Sequence, residues 1–410
     1  MMPKNVDQQV SITDNFNTDA FGRLRTSAPI AQFEYQNQYN KGPLIWAEKV
    51  NLSGTITHIP ATSSVELSTG SGSATASVIR QTRQYFRYTP GKSLKVILTF
   101  DCGPSGANVR MCAGYFDGEN GIFFMHKSGR NYLVLRSKAT GSIVDTEIPQ
   151  ESWNRDRLDG AGDSGLRLDF EKAQIFLMDI QWLGVGSVRC GFEYNGVAYY
   201  VHEFEHTNAL THVYMATANL PIRYEIDNIG PASGSATLTQ ICSTVVTEQG
   251  AIDDKGFYTH GAGNGITAIS VTSRRSILAI RPKATINSIV NRGKIEVEDI
   301  SILAGGANVY WELVYGGTLG GSPSWSSISD NSLIERDVAG TTVTGGEVIA
   351  SGYAPTGAGA ARALSGKAIS ALYPLALDID GGTPPVLALV CTSFTGTATV
   401  TASINVKEYY

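Results

Sequence analysis

Residues 174–206, QIFLMDIQWLGVGSVRCGFEYNGVAYYVHEFEH, decide the fold. Three apolar runs rich in β-branched and aromatic residues are separated by two turn signals, Gly184-Val185-Gly186 and Asn195-Gly196. Asn-Gly between such runs is the strongest short-range hairpin signal, because both residues tolerate positive φ. Alternate positions place the apolar side chains of each run on one face: Phe176, Met178, Ile180 and Trp182, then Val188, Cys190, Phe192 and Tyr194, then Val197, Tyr199 and Val201. We predict a three-stranded meander that buries this face against a second sheet, as in a β-sandwich.

The size and composition extend this prediction to the whole chain. A chain of 410 residues exceeds what one hydrophobic core usually holds, so two domains are expected. Only 17% of the residues are charged and 44 are glycine, which favours all-β structure with many turns. We therefore predict an all-β protein with two β-sandwich domains of jelly-roll or lectin-like type. An extended arm covers residues 1–45, the first sandwich 46–247, a Gly-rich linker 248–265 and the second sandwich 266–410.

The second domain is predicted from the same alternation. The segments KIEVEDISIL (294–303), NVYWELVY (308–315) and ATVTASINV (398–406) alternate apolar and polar residues, as half-buried antiparallel strands do. Residues 361–372 are the best helix candidate of this half.

Several functional classes are excluded by composition. The net charge of −5 provides no basic field for nucleic acid or an anionic membrane. The five cysteines are odd in number and scattered through apolar runs, so we expect no disulfide framework and folding in a reducing cytosol. The amino terminus lacks the apolar core of a secretory signal, and no run is long enough to span a bilayer. No cofactor is expected.

The amino-terminal segment is polar and cannot bury a core of its own. Two interpretations stay open: a disordered tail, or an extended arm that orders against its own body or a neighbouring subunit. Phe21, Arg23, Leu24 and Arg25 would anchor such an arm.

The meander ends in His202-Glu203-Phe204-Glu205-His206, followed by His212. This spacing resembles the metzincin zinc-peptidase pattern H-E-x-x-H-x-x-G-x-x-H, with Ala209 in place of glycine. In that hypothesis His202, His206 and His212 bind zinc and Glu203 is the general base. However, the pattern requires a helix, and the upstream residues predict a strand. On a strand the first two histidines stand about 13 Å apart, at ~3.3 Å per residue, so one zinc ion cannot reach both. We therefore predict no metal site and no enzyme.

Exposed aromatic side chains offer a different chemistry. Trp325 lies in a long polar loop and could stack on a sugar, although packing in a core or interface is the commoner role of such rings. Carboxylate pairs that could serve a glycosidase arise freely among 37 acidic residues, so they carry little weight.

Two stretches resemble structural proteins of tailed bacteriophages and related large DNA viruses. They are NTDAFGRLRTSAP (17–29) and the segment from IQWLGVGSVRCGF to ATANLPIRYEI (180–226). The resemblance covers most of residues 15–230 and the second domain more loosely. It implies a non-enzymatic virion component, made in the host cytoplasm, whose partners are other virion proteins, and it transfers no catalytic residue.

Three functions follow as hypotheses. The first is a homo-oligomeric structural protein of the virion, a trimer or higher ring in the tail, baseplate or fibre, with a capsid-surface or head-fibre protein as its variant. The second is a carbohydrate-binding adhesin that attaches to a host-surface glycan through the first sandwich or through loops around Trp325. The third is the zinc peptidase.

Overall fold

The computed structural model describes residues 18, 22, 29–70, 74–104, 106–231, 234–248, 257–356, 362–365 and 375–410. These residues form β-strands joined by turns, with two 3₁₀ turns at Pro60–Thr62 and Gln150–Ser152 and no α-helix. The prediction of an all-β protein built from β-sandwiches is confirmed. None of the described segments is a helix long and apolar enough to cross a membrane.

Fifteen strands precede residue 248 in the described part of the chain. They are β1 (Ile30–Gln36), β2 (Trp46–Asn51), β3 (Thr55–Ile59), β4 (Ser64–Ser68), β5 (Ser77–Thr82), β6 (Leu94–Cys102), β7 (Val109–Phe116), β8 (Gly121–Lys127), β9 (Arg130–Ser137), β10 (Val144–Pro149), β11 (Gln174–Ile180), β12 (Val188–Tyr194), β13 (Val197–Phe204), β14 (Ile222–Asn228) and β15 (Thr237–Thr247).

Fifteen further strands are described after residue 256. They are β16 (Phe257–Gly263), β17 (Ile269–Val271), β18 (Arg275–Pro282), β19 (Thr285–Ile286), β20 (Ile289–Val290), β21 (Lys294–Gly305), β22 (Val309–Tyr315), β23 (Thr318–Gly320), β24 (Ser326–Ser327), β25 (Ile334–Asp337), β26 (Thr342–Thr344), β27 (Glu347–Ala354), β28 (Arg362–Ser365), β29 (Leu387–Ser393) and β30 (Ala398–Tyr409). Residues 362–365 are therefore a strand, paired with β21, and the helix predicted from 361 to 372 is wrong there. The rest of that segment lies outside the described residues.

The chain divides into two compact units. The first comprises Met1–Asn40, Val50–Ile79 and Tyr88–Gly250, and the second comprises Lys41–Lys49, Arg80–Arg87 and Ala251–Tyr410.

The first unit contains two packed antiparallel sheets. One has the order β13-β12-β11-β6-β15-β4-β3, with β1 also paired to β15, and the other contains the run β10-β9-β8-β7-β14. Phe124 of the second sheet meets Phe100, Phe176 and Phe192 of the first, at ring-centroid distances of 5.6, 6.2 and 5.7 Å. The predicted meander is the end of the first sheet, and its inward residues Phe176, Met178, Val188, Cys190 and Phe192 are fully buried.

The third meander strand differs from the prediction in one respect. A β-bulge between Cys190 and Gly191 shifts the register of β13, so that Cys190 faces His202 and Gly191 faces Tyr200. An extra residue in one strand exchanges the faces of everything beyond it. Beyond the bulge, His202 and Phe204 therefore share the core face with Cys190 and Val188. Val201 is buried as expected, whereas Val197, paired with Tyr194 at the hairpin end, is 52% exposed.

The second unit is also a sandwich. A sheet of order β16-β30-β21-β28, with β17 paired to β30, packs against a sheet of order β24-β25-β18-β29-β22-β27. Both sheets contribute to one buried cluster, for example Val297 and Ile404 from the first and Leu278, Leu313 and Leu389 from the second. The three alternating segments predicted as strands are β21, β22 and β30.

Candidate functional site

A cleft of about 430 Å³ opens in the first unit where one edge of each sheet ends. Strand β13 contributes one wall, and β9 and β10 contribute the other. We call it the histidine cleft, and it is lined by Leu135, Ser137, Thr140, Val144, Thr146, His202, Glu203, Phe204, Glu205, His206, Leu210, His212 and Tyr214. Its volume and its mixture of apolar and hydroxyl-bearing side chains fit a small-molecule site.

His202 is held on the inner face of β13 as a neutral ring. The backbone N–H of Asn154 donates to its Nδ1 at 3.3 Å, and its ring meets Phe204 edge-on at 4.6 Å. Burial of the ring lowers its pKa to about 4. Because Nδ1 accepts a hydrogen bond, the proton of the neutral ring sits on Nε2, which is therefore a donor.

His206 has the opposite arrangement. Its Nδ1 lies 2.6 Å from the carbonyl oxygen of Gly186, so this nitrogen carries a proton and donates. The ring stacks on Tyr214 with centroids 4.1 Å apart, and burial lowers its pKa. In the neutral ring Nε2 is then an acceptor. Within the described residues neither Nε2 has a hydrogen-bond partner, and neither is sealed from solvent.

The other polar residues of the motif lie at the rim. Glu203 is on the opposite face of β13 from His202 and pairs with Arg155. Glu205 is exposed and makes no ion pair with another described residue. His212 is exposed, and its Nδ1 bonds the carbonyl of Val213 at 2.9 Å. The structure thus brings all four residues of the zinc hypothesis around one cleft.

Their arrangement does not form a metal centre. The chain is extended to Phe204, as predicted from its β-branched and aromatic residues, and not coiled as the zinc-peptidase pattern needs. Within the segments that the structure describes, no group of three or more His, Cys, Asp and Glu side chains could hold one metal ion. The residues present therefore do not fit zinc.

The lowered pKa of His202 predicts a pH-dependent stability. The unfolded chain takes up a proton near pH 6.5 and the folded protein only near pH 4, so the unfolded state binds more protons between these values. The stability gained from keeping His202 neutral is fully present above pH 6.5. It is lost progressively as the pH is lowered to about 4. The loss amounts to about 2–3 kcal/mol at pH 4.5, so we expect the Tm to fall by about 5–10 °C more between pH 7 and 4.5 in the wild type than in His202→Asn. The exposed His212→Asn is the control, and equal losses in all three proteins would contradict the assignment.

Trp325 lies in a different groove, within the second unit. This groove has a volume of about 790 Å³ and is lined by Trp325, Arg281, Tyr315, Glu347 and Asp378 among others. The guanidinium carbon of Arg281 stands 4.1 Å from the centre of the Trp325 ring, while its Nε donates to Glu335 at 2.6 Å. One face of the ring is therefore already covered, and the interaction role of Trp325 stays a prediction.

The predicted arm anchors, Phe21, Arg23, Leu24 and Arg25, lie outside the described residues. Of the nearby positions that are described, Thr18 contacts the first unit: Nη2 of Arg189 donates to its carbonyl oxygen at 2.9 Å. The same Nη2 lies 2.8 Å from Asp179, whose other oxygen accepts from Ser93. Thr18, which precedes β1, is therefore hydrogen-bonded to β12 of its own chain.

Sequence reasoning missed most of the histidine cleft. Leu135, Val144 and Thr146 come from strands about 60 residues before the motif, and the packing of the two sheets brings them beside β13. The run of histidines and glutamates at the end of a strand does indicate a cluster of polar side chains. It gives no indication of the residues from other strands that complete the cleft.

No protein-family model matches this chain, and no curated protein matches it. It is similar in fold to a protein of unknown function from Shewanella oneidensis MR-1, at 11% identity over 57% of this chain and 92% of that one, with a TM-score of 0.37. A glycoside hydrolase family protein from Mycobacterium thermorestibile matches at 11% identity over 52% and 99%, with a TM-score of 0.37. A legume lectin-like domain from Entamoeba histolytica matches at 10% identity over 55% and 100%, with a TM-score of 0.31. Scores below 0.5 add no functional information.

Proposed function

We propose that this protein is a carbohydrate-binding protein without catalytic activity, and that its first sandwich holds a sugar residue in the histidine cleft. One observation carries the proposal: two neutral imidazoles of one cleft, with an Nε2 donor on His202 and an Nε2 acceptor on His206, stand among apolar lining side chains. Sugar hydroxyls both donate and accept hydrogen bonds, so the two imidazoles can engage different hydroxyls of one bound saccharide.

The remaining lining residues suit the same ligand. Leu135, Phe204, Leu210 and Tyr214 offer apolar surface to the C–H face of a sugar, and aromatic rings with a polar partner are suited to such contacts. Ser137, Thr140 and Thr146 add hydroxyls at the rim. The cleft therefore combines a few placed polar groups with apolar contact area, as ligand sites generally do.

The binding is expected to disappear when the cleft is filled. Val144 lines the cleft and is 51% exposed, so Val144→Trp should block entry without disturbing the core. Val197 is 52% exposed on β13 and does not line the cleft, so Val197→Trp is the matched control. On an array of neutral and acidic oligosaccharides, we expect at least ~100-fold weaker binding for Val144→Trp, equal to about 2.7 kcal/mol. The control should bind as the wild type does.

Two outcomes would count against this site. If Trp325→Ala removes glycan binding and Val144→Trp does not, the glycan is held by the second unit instead. If the wild type binds no member of the array, the carbohydrate function itself fails.

We further propose that the protein serves in the virion of a tailed bacteriophage, in the tail, baseplate or fibre, where glycan binding would attach the particle to its host. This rests on the sequence resemblance of residues 17–29 and 180–226. Its homo-oligomeric state and its virion partners belong to the same proposal, and a capsid-surface position is the alternative. Antibody labelling of purified particles tests it, since label confined to the head would contradict a tail position.

A further inference from the structure

We infer that the histidine cleft selects uncharged sugar residues and rejects acidic ones such as uronic acids. The inference rests on the proposed carbohydrate function and names the ligand class of that site. It follows from the charges that line the cleft and from the fixed roles of the two imidazoles.

The imidazoles supply no positive charge to an acidic ligand. The backbone N–H of Asn154 can only donate, so Nδ1 of His202 must accept and cannot carry a proton. His206 uses its one Nδ1 proton on the carbonyl of Gly186, in a buried position that disfavours a charged ring. Both rings are more than nine-tenths buried and offer hydrogen bonds of a neutral kind.

The charged groups that line the cleft are carboxylates. Among its lining residues, which are all described, none is Lys or Arg. Glu203 is balanced by Arg155 on the other face of the strand, but Glu205 has no ion-pair partner in the described part of the chain. Two unit charges a few ångströms apart repel by several kcal/mol even at an effective dielectric constant of ~20. A carboxylate on the ligand would meet this repulsion and would also lose its hydration.

The polar groups nevertheless satisfy an uncharged sugar. Nε2 of His202 donates, Nε2 of His206 accepts, and the hydroxyls of Thr140 and Thr146 do either. Glu205 accepts from a sugar hydroxyl without needing a positive partner. The same cleft that repels an acidic sugar can therefore hydrogen-bond a neutral one.

Reversal of the charge at Glu205 tests the inference. Glu205 is exposed, so Glu205→Lys should fold normally, and Glu205→Gln removes the charge at nearly constant shape. Glu171 is also exposed in the first unit but does not line the cleft, and Glu171→Lys makes the same change of net charge elsewhere. The ligands are the strongest neutral oligosaccharide from the array and its uronic-acid counterpart. The titrations are run at 0.15 M salt, where distant charges are screened beyond ~8 Å.

The wild type and Glu171→Lys are expected to bind the neutral ligand at least ~10-fold more tightly than the acidic one, which corresponds to about 1.4 kcal/mol. Glu205→Gln should narrow this ratio, and Glu205→Lys should bring it to one or invert it. Equal binding of both ligands by the wild type would overturn the inference while leaving the carbohydrate function standing. The inference would also be overturned if Glu205→Lys changed the ratio of neutral to acidic affinity no more than Glu171→Lys does. Absence of binding to either ligand would instead sink the proposed function.

Discussion

Glu225→Gln is expected to destabilise the protein by about 3–5 kcal/mol, because it leaves the buried guanidinium group of Arg223 without its carboxylate. On β14, Glu225 and Asp227 alternate with the core residues Tyr224 and Ile226 and so point to the opposite face of their sheet. Glu225 accepts from Nε of Arg223 at 2.8 Å and lies 3.4 Å from Nη2 of Arg110.

The surroundings of Glu225 explain the size of this effect. Arg110 also binds Asp227 at 2.9 Å, and Arg136 forms two bonds of 2.8 Å with Asp145. These three carboxylates thus balance the guanidinium groups of Arg110, Arg136 and Arg223. The arginines Arg223 and Arg136 lower the pKa of Glu225 together with Arg110, despite its burial. Arg223 also lies over the ring of Phe116 and Arg136 over that of Phe123, and these two rings are stacked with centroids 4.2 Å apart.

Urea unfolding provides the measurement, with Glu151→Gln as the control. Glu151 pairs with Arg130 on the surface, where both side chains are more than half exposed, and such pairs contribute about 0–1 kcal/mol. If Glu225→Gln and Glu151→Gln lose the same stability, the buried network does not stabilise the sheet as described.

Phe124→Ala is expected to cost about 3–5 kcal/mol, the usual loss when a fully buried phenylalanine leaves a cavity. Its ring is 0% exposed and lies between the two sheets of the first unit, 4.7 Å from the centroid of Phe170 and 5.7 Å from that of Phe192. The cavity would remove the contacts that join the two sheets. Phe124→Leu should lose much less, since it keeps most of the volume.

The control for this substitution is Phe394→Ala, at a ring that is 55% exposed in the second unit. Surface changes of this kind usually stay within about 0.5 kcal/mol. A loss for Phe124→Ala no larger than that of Phe394→Ala would contradict the packing of the two sheets through this ring. Denaturation midpoints and slopes should be compared, because only a shifted midpoint at constant slope reports stability.

The sequence predicted what depends on local pattern. The alternation and the Asn-Gly turn between residues 174 and 206 correctly indicated β11, β12 and β13, and so excluded the helix that the zinc-peptidase pattern requires. The bulge opposite Cys190 was not predictable, because two residues facing one is a property of the pair of strands and not of either alone.

Long-range features were equally hidden. The segment Arg223-Tyr224-Glu225-Ile226-Asp227 has the alternation of a strand with one solvated face, yet both faces are buried. The arginine that binds both carboxylates precedes them by more than 100 residues. The same limit applies to the histidine cleft, whose apolar wall comes from β9 and β10. Residues 362–365 have a local pattern that favours a helix, but they form a strand paired with β21. Tertiary contacts commonly override local propensity in this way.

The most direct test of the carbohydrate-binding cleft is to follow the imidazole nitrogens of the histidine side chains by ¹⁵N NMR during titration with the strongest neutral oligosaccharide. Binding in the cleft predicts that the Nε2 resonances of His202 and His206 move together and saturably, while those of His58 and His260, which do not line the cleft, stay unchanged. Saturable binding that leaves both cleft histidines unmoved would contradict the account.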